Sequence, residues 1–328
     1  MIVTDDLLPM VAKQALVEWD LSVTEITLIS KSENIVFRLD TDRDETYVLR
    51  LHRPGYHTLA ELNAEQQWTA ALNQAGLDVP VPKMTGDGRG YTCVSMPGST
   101  EERYVGIVEW FEGEPLSNIL KQTSDKQVLV SYYDQLGRIA ARIHNQATGW
   151  QVPADFQRHA FDADGLMGNA PFWGPFWDLP MLTKAERKRI LSARASIYWI
   201  LSDYGKEPGT YSLIHADLHP SNLLVNGEQL HVIDFDDSGF GWHQYELAVA
   251  LFHYQDNPHF DLLGEALIAG YRTERPLDDA SVELVSLFFL IRAMASIGWI
   301  YARPEVKQHG RLPGLIARVC EQADALGL

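Results

Sequence analysis

Cysteine is nearly absent: Cys93 and Cys320 are the whole complement. Two thiols, one in each half, support neither a disulfide framework nor a cysteine-built zinc site, so a reducing cytoplasm is the expected setting. Positive charge is scarce as well. Against 44 Asp and Glu stand 27 Lys and Arg, a formal net charge of −17, whereas a duplex-DNA binder that neutralises phosphates normally carries a basic excess. Nucleic acid is not an expected partner. The opening Met1-Ile2-Val3-Thr4-Asp5-Asp6 lacks the basic start and apolar core of an export leader. No segment repeats at a fixed period and no low-complexity run occurs, which sets aside solenoids and long linkers. The most apolar late stretch, Leu284 to Tyr301, carries Arg292. The cost of an arginine at mid-bilayer favours a buried helix there, and no membrane partner is expected.

What is present reads as an ordinary globular protein, with 46% hydrophobic and 22% charged residues in a chain of 328. That length suggests two domains or one large bilobal unit. From Ile26 to Phe111 the pattern is strand-like, with candidate strands at Leu28-Ile29, Ile35 to Leu39, Tyr47 to His52, Tyr91 to Met96 and Ile107 to Phe111. One helix interrupts them. Thr58 with Glu61 forms a capping box, Leu62, Trp68, Leu72 and Ala75 follow, and Gly76 then Pro80 stop it. Past Gly113 the period becomes helical from near Leu116, with a helix around Ser131 to His144 striped by Leu136, Ile139 and Ile143. The exception is a strand region between Tyr211 and Phe235. The expected fold class is α+β, with a small β-rich lobe over residues 1–108, a crossing at 109–114 and a larger helical lobe over 115–328.

The most informative segment runs Ile214-His215-Ala216-Asp217-Leu218-His219-Pro220-Ser221-Asn222, then Leu223 through Asp234. Leu223 to Val225 and Leu230 to Ile233 are strand material, and Asn226-Gly227 between them signals a hairpin, because both residues tolerate positive φ. Asn222 then precedes the first strand and Asp234 follows the second, so the open ends bring an amide oxygen and a carboxylate together. Two hard oxygen donors suit Mg²⁺, which completes its shell with water and substrate phosphates. Asp217 sits in a loop whose Pro220 bars a continuous helix. An Asp beside a metal-phosphate site can accept a proton from an incoming hydroxyl, and phosphoryl transfer needs little more than such positioning and charge neutralisation. Singly, Asp217 and Asn222 also read as turn caps; the combined His-x-Asp-x-x-x-x-Asn, hairpin and Asp-Phe pattern is what favours chemistry.

This pattern resembles the catalytic and metal-binding loops of the kinase-like phosphotransferases: aminoglycoside phosphotransferases, choline kinases, type II homoserine kinases and bacterial stress-response kinases. The resemblance implies a bilobal protein-kinase-like fold using ATP and Mg²⁺, with Asp217 as base, Asn222 and Asp234 as metal ligands and His215 packing the loop. Tyr245-Glu246-Leu247-Ala248 resembles the segment that braces the catalytic loop, with Glu246 where Asp is usual. In Tyr47 to His52, alternation sends Tyr47, Leu49 and Leu51 to one face and Val48, Arg50 and His52 to the other. Arg50 stands where kinases have Lys, and a guanidinium can grip phosphate oxygens bidentately. Its expected carboxylate partner is Glu65, since Glu61 is committed to the capping box.

Ser30-Lys31-Ser32-Glu33-Asn34 corresponds to the phosphate-covering turn, without the glycines of protein kinases, and places Ser32 among the nucleotide-binding candidates. Val108 to Gly113 looks like the interlobe hinge, where backbone groups of Glu109 and Phe111 would bond the adenine edge. Two clusters keep alternative readings. Phe172-Trp173-Gly174-Pro175-Phe176-Trp177 lies where the family carries its substrate-side insertion, so Trp173 either binds a cation on its ring or packs. Asp236 and Asp237 either add negative field at the acceptor or cap a turn. The expected reaction is γ-phosphoryl transfer to a hydroxyl of a small, cationic or amino-bearing molecule of homoserine, choline or aminoglycoside type. The alternatives are a Ser/Thr protein kinase of the stress-response type and a nucleotide-binding pseudokinase.

Overall fold

A computed structural model describes residues 7–304 and 307–328. The opening hexapeptide, on which the expectation about an export leader rests, lies outside them. The chain groups into two units: residues 1–114, 151–157 and 224–236 form one, and 115–150, 158–223 and 237–328 the other.

The first unit is built on hydrophobic alternation. Helix α1 (Leu8–Leu16) buries Leu8, Val11, Ala12 and Ala15, the i, i+3, i+4, i+7 stripe of a helix lying on a core. Strands β1 (Val23–Lys31), β2 (Ile35–Thr41) and β3 (Thr46–Leu51) follow, then α2 (Leu59–Gln74), β4 (Pro82–Lys83), β5 (Tyr91–Ser95) and β6 (Glu102–Glu109). The sheet runs β1-β2-β3-β6-β4, with β5 also paired to β6. Phe37, Leu39, Leu49 and Ile107 share one buried cluster with α1. In β3 every second residue is buried, so Arg50 is on the opposite face from Leu49 and Leu51, as alternation requires. Helix α2 starts on the expected capping box, with Thr58 accepting from the Glu61 amide and Glu61 accepting from the Thr58 amide. Such a cap is worth about 1 kcal/mol.

The strands Leu223–Asn226 and Gln229–Val232 form the expected hairpin, but its two-residue turn is Gly227-Glu228, one place later than Asn226-Gly227. Gly227 alone takes positive φ, +60°, which glycine adopts at no steric cost. Sequence reading put this hairpin with the helical lobe, whereas residues 224–236 group with the first unit. The reason is local. The Val232 amide donates to the Asp78 carbonyl at 3.0 Å, His231 lies 2.9 Å from the Asp78 carboxylate, and Phe235 meets Trp68 edge to face.

The second unit is helical, with a three-stranded sheet made by Ala160–Phe161, Gly239–Trp242 and Tyr211–Ile214. Its helix around Ser131 to His144 is longer than its stripe suggested, spanning Lys126–Gly149 from an Asp125 cap, and it packs on Phe260–Glu274. Helix Val285–Tyr301 buries eleven residues, among them Phe288, Ile291 and Ile297. By length and composition the segment 279–301 could cross a membrane, yet 61% of its apolar window is buried inside the protein, the signature of a core helix.

Candidate active site

Strand Tyr211–Ile214 ends at His215, fully buried, and the chain then turns through Ala216 at φ +64° before Asp217. A left-handed alanine costs about 1 kcal/mol or more and persists only where its surroundings fix it. Glu246 does so. Its carboxylate accepts the His215 amide at 2.7 Å and the Ala216 amide at 2.8 Å, so both donors of the strained, fully buried turn are satisfied. The Glu246 side chain therefore reaches both amides. Burial pushes the Glu246 carboxyl up to about 8, with the two amide donors pulling it down.

Pro220–Asn222 form a single 3₁₀ turn capped by the His219 side chain, which accepts from the Ser221 amide. That turn swings Asn222 back so that its Nδ2 donates to the Asp217 carbonyl at 3.0 Å and to Asp217 Oδ2 at 2.9 Å. His219 Nε2 lies 3.2 Å from the same Oδ2. Arg292, from helix Val285–Tyr301, donates through Nη2 to Oδ1 at 2.8 Å. Burial works to raise the Asp217 pKa, but His219, Arg292 and His215 outweigh it and hold this carboxylate well below its ordinary range. Arg292 was noticed in the sequence only as an obstacle to membrane insertion. A single charge in an otherwise apolar helix was the available signal, because a buried guanidinium demands a partner.

Trp173 is 5% exposed and stacks with Phe161 at 5.0 Å and Tyr245 at 6.3 Å. Its ring also carries the Arg292 guanidinium at 5.1 Å. Of the two readings weighed for Trp173, packing matches this burial, and the cation on the ring is the protein's own Arg292.

In the first unit, Arg50 Nη1 lies 3.0 Å from Asp234 Oδ1 and 3.9 Å from Asp236 Oδ1. These acids and Glu65 keep the guanidinium charged against a burial that works to lower its pKa. Arg50, Glu65, Thr69, Val108, Asp234 and Phe235 line one cavity. Asp234 takes φ +67°, a conformation Asp tolerates better than most residues. Asp236 is more deeply held: Asn34 Nδ2 donates to it at 3.2 Å, and His52 Nδ1 lies 3.6 Å away. Burial alone would raise its pKa, but His52, Arg50 and His57 together keep it low. It joins neighbours of its own unit into one charged cluster, a role beyond the two that sequence reading weighed.

Ser32 is exposed in the turn between β1 and β2, where its amide bonds the Asn34 carbonyl. Asn34 Oδ1 accepts from the Arg53 amide at 2.8 Å, and the Arg53 guanidinium pairs with Glu33, so side chains stiffen a turn that has no glycine. The Glu109 amide donates to the Val81 carbonyl at 3.0 Å. Phe111 stacks on His231 at 4.4 Å.

Each unit offers an oxygen donor of the kind that a hard divalent cation takes. With Nδ2 of Asn222 turned to Asp217, its amide oxygen remains to ligate. Asp234 Oδ1 is buried against Arg50 Nη1 at 3.0 Å, while the side chain as a whole is 42% exposed.

Comparison with known proteins converges on one group. The sequence model of the Phosphotransferase enzyme family matches residues 25–280. Amicoumacin kinase of Bacillus subtilis (strain 168) is 21% identical over 302 residues, 89% of this chain and 84% of its own length. Homoserine kinase of Brucella abortus (strain S19) is 26% identical over 230 residues, 68% and 62% of the two chains. Among solved structures, the microcompartment-associated aminopropanol kinase superposes with a TM-score of 0.78 at 30% identity, covering 96% of this chain and 94% of its own. An amicoumacin kinase in complex with AMP-PNP and Ca²⁺ also gives a TM-score of 0.78, at 19% identity, over 98% and 94%.

Proposed function

The chain belongs to the phosphotransferase enzyme family, and from that premise we propose that this kinase moves the γ-phosphoryl group of ATP to the hydroxyl of a short amino alcohol, with Mg²⁺ as the metal. The observation that carries the reading is the Asp217 carboxylate held by Asn222, His219 and Arg292. Oδ2 is engaged by two of these groups and Oδ1 by one, so a carboxylate with roughly four lone-pair sites keeps one open on Oδ1. An acceptor hydroxyl donating there would have its oxygen aimed by the protein before any bond changes.

In the proposed step the acceptor oxygen forms a bond to the γ-phosphorus. The bond from that phosphorus to the β-γ bridging oxygen breaks, and ADP leaves with the electron pair. The hydroxyl proton passes to Asp217. A carboxylate kept so acidic takes that proton late, which suits a loose transition state in which positioning matters more than early deprotonation. Asn222 and Asp234 would each give an oxygen to the cation. Once bound, a divalent cation neutralises charge on the phosphates. Arg50 would grip phosphate oxygens, with Glu65 and Asp236 keeping its guanidinium in place, while Glu109 and Phe111 would meet the adenine and Ser32 the phosphate-covering turn.

Amino-alcohol acceptors are favoured by the likeness to the aminopropanol kinase at 30% identity and by a net charge of −17, which raises the local concentration of small cations. A protein Ser/Thr acceptor has no counterpart among the relatives named above. The experiment is an ATP-consumption screen across aminopropanol, ethanolamine, choline, homoserine, aminoglycosides and a protein acceptor. Turnover confined to the amino alcohols is expected. Turnover only with a protein, or with an acceptor lacking an amino group, would overturn the acceptor class.

A further inference from the structure

Helix Val285–Tyr301 carries one charged residue, Arg292, amid Phe288, Leu290, Ile291, Met294 and Ile297, all fully buried. A charge there needs a reason, because well-packed apolar side chains often stabilise as much as a buried ion pair or more. The surroundings supply one. On one side the guanidinium reaches Asp217 Oδ1 at 2.8 Å. On another it lies on the Trp173 ring at 5.1 Å, and Nη1 stands 3.5 Å from the Tyr245 hydroxyl. Trp173 is itself fixed from the same helix. Gly298 lies under the Trp173-Gly174 backbone so closely that a Cβ there would stand 2.8 Å from the Trp173 carbonyl oxygen and 2.7 Å from that of Gly174. Only glycine admits that approach. One helix thus supplies both the guanidinium and the seat of the ring that covers it.

We propose that Arg292 is a positioning residue for phosphoryl transfer: sandwiched between Trp173 and Asp217, it fixes the Asp217 oxygen that receives the acceptor's hydroxyl, and the aromatic segment 172–177 acts on catalysis through it. The inference rests on the assignment of Asp217 made above. It follows from how the carboxylate is held. Asn222 and His219 bind Oδ2 alone, so without Arg292 the group can turn about its Cα–Cβ and Cβ–Cγ bonds and carry Oδ1 off line. A planar donor stacked on an indole resists that rotation, because both the hydrogen-bond direction and the ring face constrain it. The Trp173 ring is thereby removed from the set of groups open to an amino-bearing acceptor.

The test compares the parent with Arg292→Met, Arg292→Lys and Gly298→Ala, reading kcat, the KM for acceptor, the Kd for Mg-ATP and the melting temperature. Loss of one charge-assisted hydrogen bond that aims a reacting group should lower kcat about 10- to 100-fold in Arg292→Met. Mg-ATP affinity should stay within about twofold. Arg292→Lys restores the charge without the stack and should recover part of the lost kcat. Gly298→Ala leaves Arg292 and Asp217 intact but displaces the ring's seat. It should lower kcat by a smaller factor, and combined with Arg292→Met it should cost little more than Arg292→Met alone, because the two act through one contact.

Parent-like kcat in folded Arg292→Met overturns the proposal, as does a double variant whose losses simply multiply. Should Arg292→Met fail to fold, Gly298→Ala decides alone, and a folded variant with unchanged kcat overturns it. A parent that turns over no acceptor in the screen defeats the amino-alcohol reading only. The same variants are then compared on slow ATP hydrolysis, where water takes the acceptor's place at Asp217, and equal hydrolysis in parent and Arg292→Met rejects the role of Arg292.

Discussion

Replacing Glu246 by Gln isolates how a buried acid can brace a strained loop. The carboxyl is surrounded by the His215 and Ala216 amides at 2.7 and 2.8 Å, by the neutral His144 ring, whose Nε2 is 4.0 Å away, and by the charges of Asp217 and Arg292. Burial raises its pKa from 4.5 to about 8. A folded-state pKa above the unfolded one means that folding favours the protonated acid. The associated stability is complete below about pH 4.5 and is lost as pH rises through about 8. At about 1.4 kcal/mol per pH unit across that interval, the loss has an upper bound of about 5 kcal/mol. Gln is isosteric and does not titrate, but it turns an NH₂ toward one of the two amides and forfeits that bond, at a cost of about 1–3 kcal/mol. The parent should therefore be the more stable by about 1–3 kcal/mol at pH 5, and because its own stability falls by up to about 5 kcal/mol as pH rises through about 8, that advantage should vanish or reverse by pH 9. Urea unfolding of both proteins by tryptophan fluorescence at each pH unit gives the curve. A difference that stays flat or widens with pH would show that the two amide donors keep Glu246 ionised throughout and that the burial argument is wrong.

Asp217→Ala should abolish transfer, a loss of about a hundredfold or more, while leaving Mg-ATP affinity nearly unchanged; parent-like turnover in a steady-state assay would refute the role. Asp234→Ala should weaken Mg-ATP binding measured by calorimetry, since it removes a ligand of the proposed metal site and leaves Arg50 with one fewer counter-charge. Arg50→Lys should retain the fold and lose efficiency, with Arg50→Met losing more, because the planar fork rather than charge alone matches two oxygens. If Glu65 belongs to the same unit, Arg50→Met with Glu65→Gln should cost less than the two singles combined; strictly additive losses would remove Glu65 from it.

Much of the first unit could be read from period alone. The alternation in Tyr47 to His52 put Arg50 on the face away from Leu49, and the Thr58–Glu61 box located the start of α2. The segment that holds Asp217, Asn222 and Asp234 could be picked out because its spacing is local, and the resemblance marked Glu246; the roles of these residues belong to the proposal above. What stayed hidden depends on long-range contact. Helix α1 is short and its stripe, Leu8 to Ala15, matters only once it lies on the sheet. Arg292 is 75 residues from the aspartate it holds. Asp236 meets Asn34 across 202 residues and His57 across 179, so no local rule could assign those partners. The turn at Gly227-Glu228 was misplaced by one residue because Asn-Gly satisfies a positive-φ requirement at either position, and only strand register decides which.

The grouping of residues 224–236 with the first unit bears on the order in which the protein can be made. Ribosomal synthesis delivers β3 and its Arg50 long before Asp234 and Asp236 exist. Until then the guanidinium has no acid from this hairpin beside it, and burying a charge without its counter-charges is costly. The N-terminal sheet therefore reaches its final state only after residue 236 has left the ribosome. An expressed fragment ending at Glu114 would retain Glu65 but lack Asp234 and Asp236, two of the acids that settle Arg50, which makes the lobe a poor candidate for transplantation as a stand-alone nucleotide-binding module.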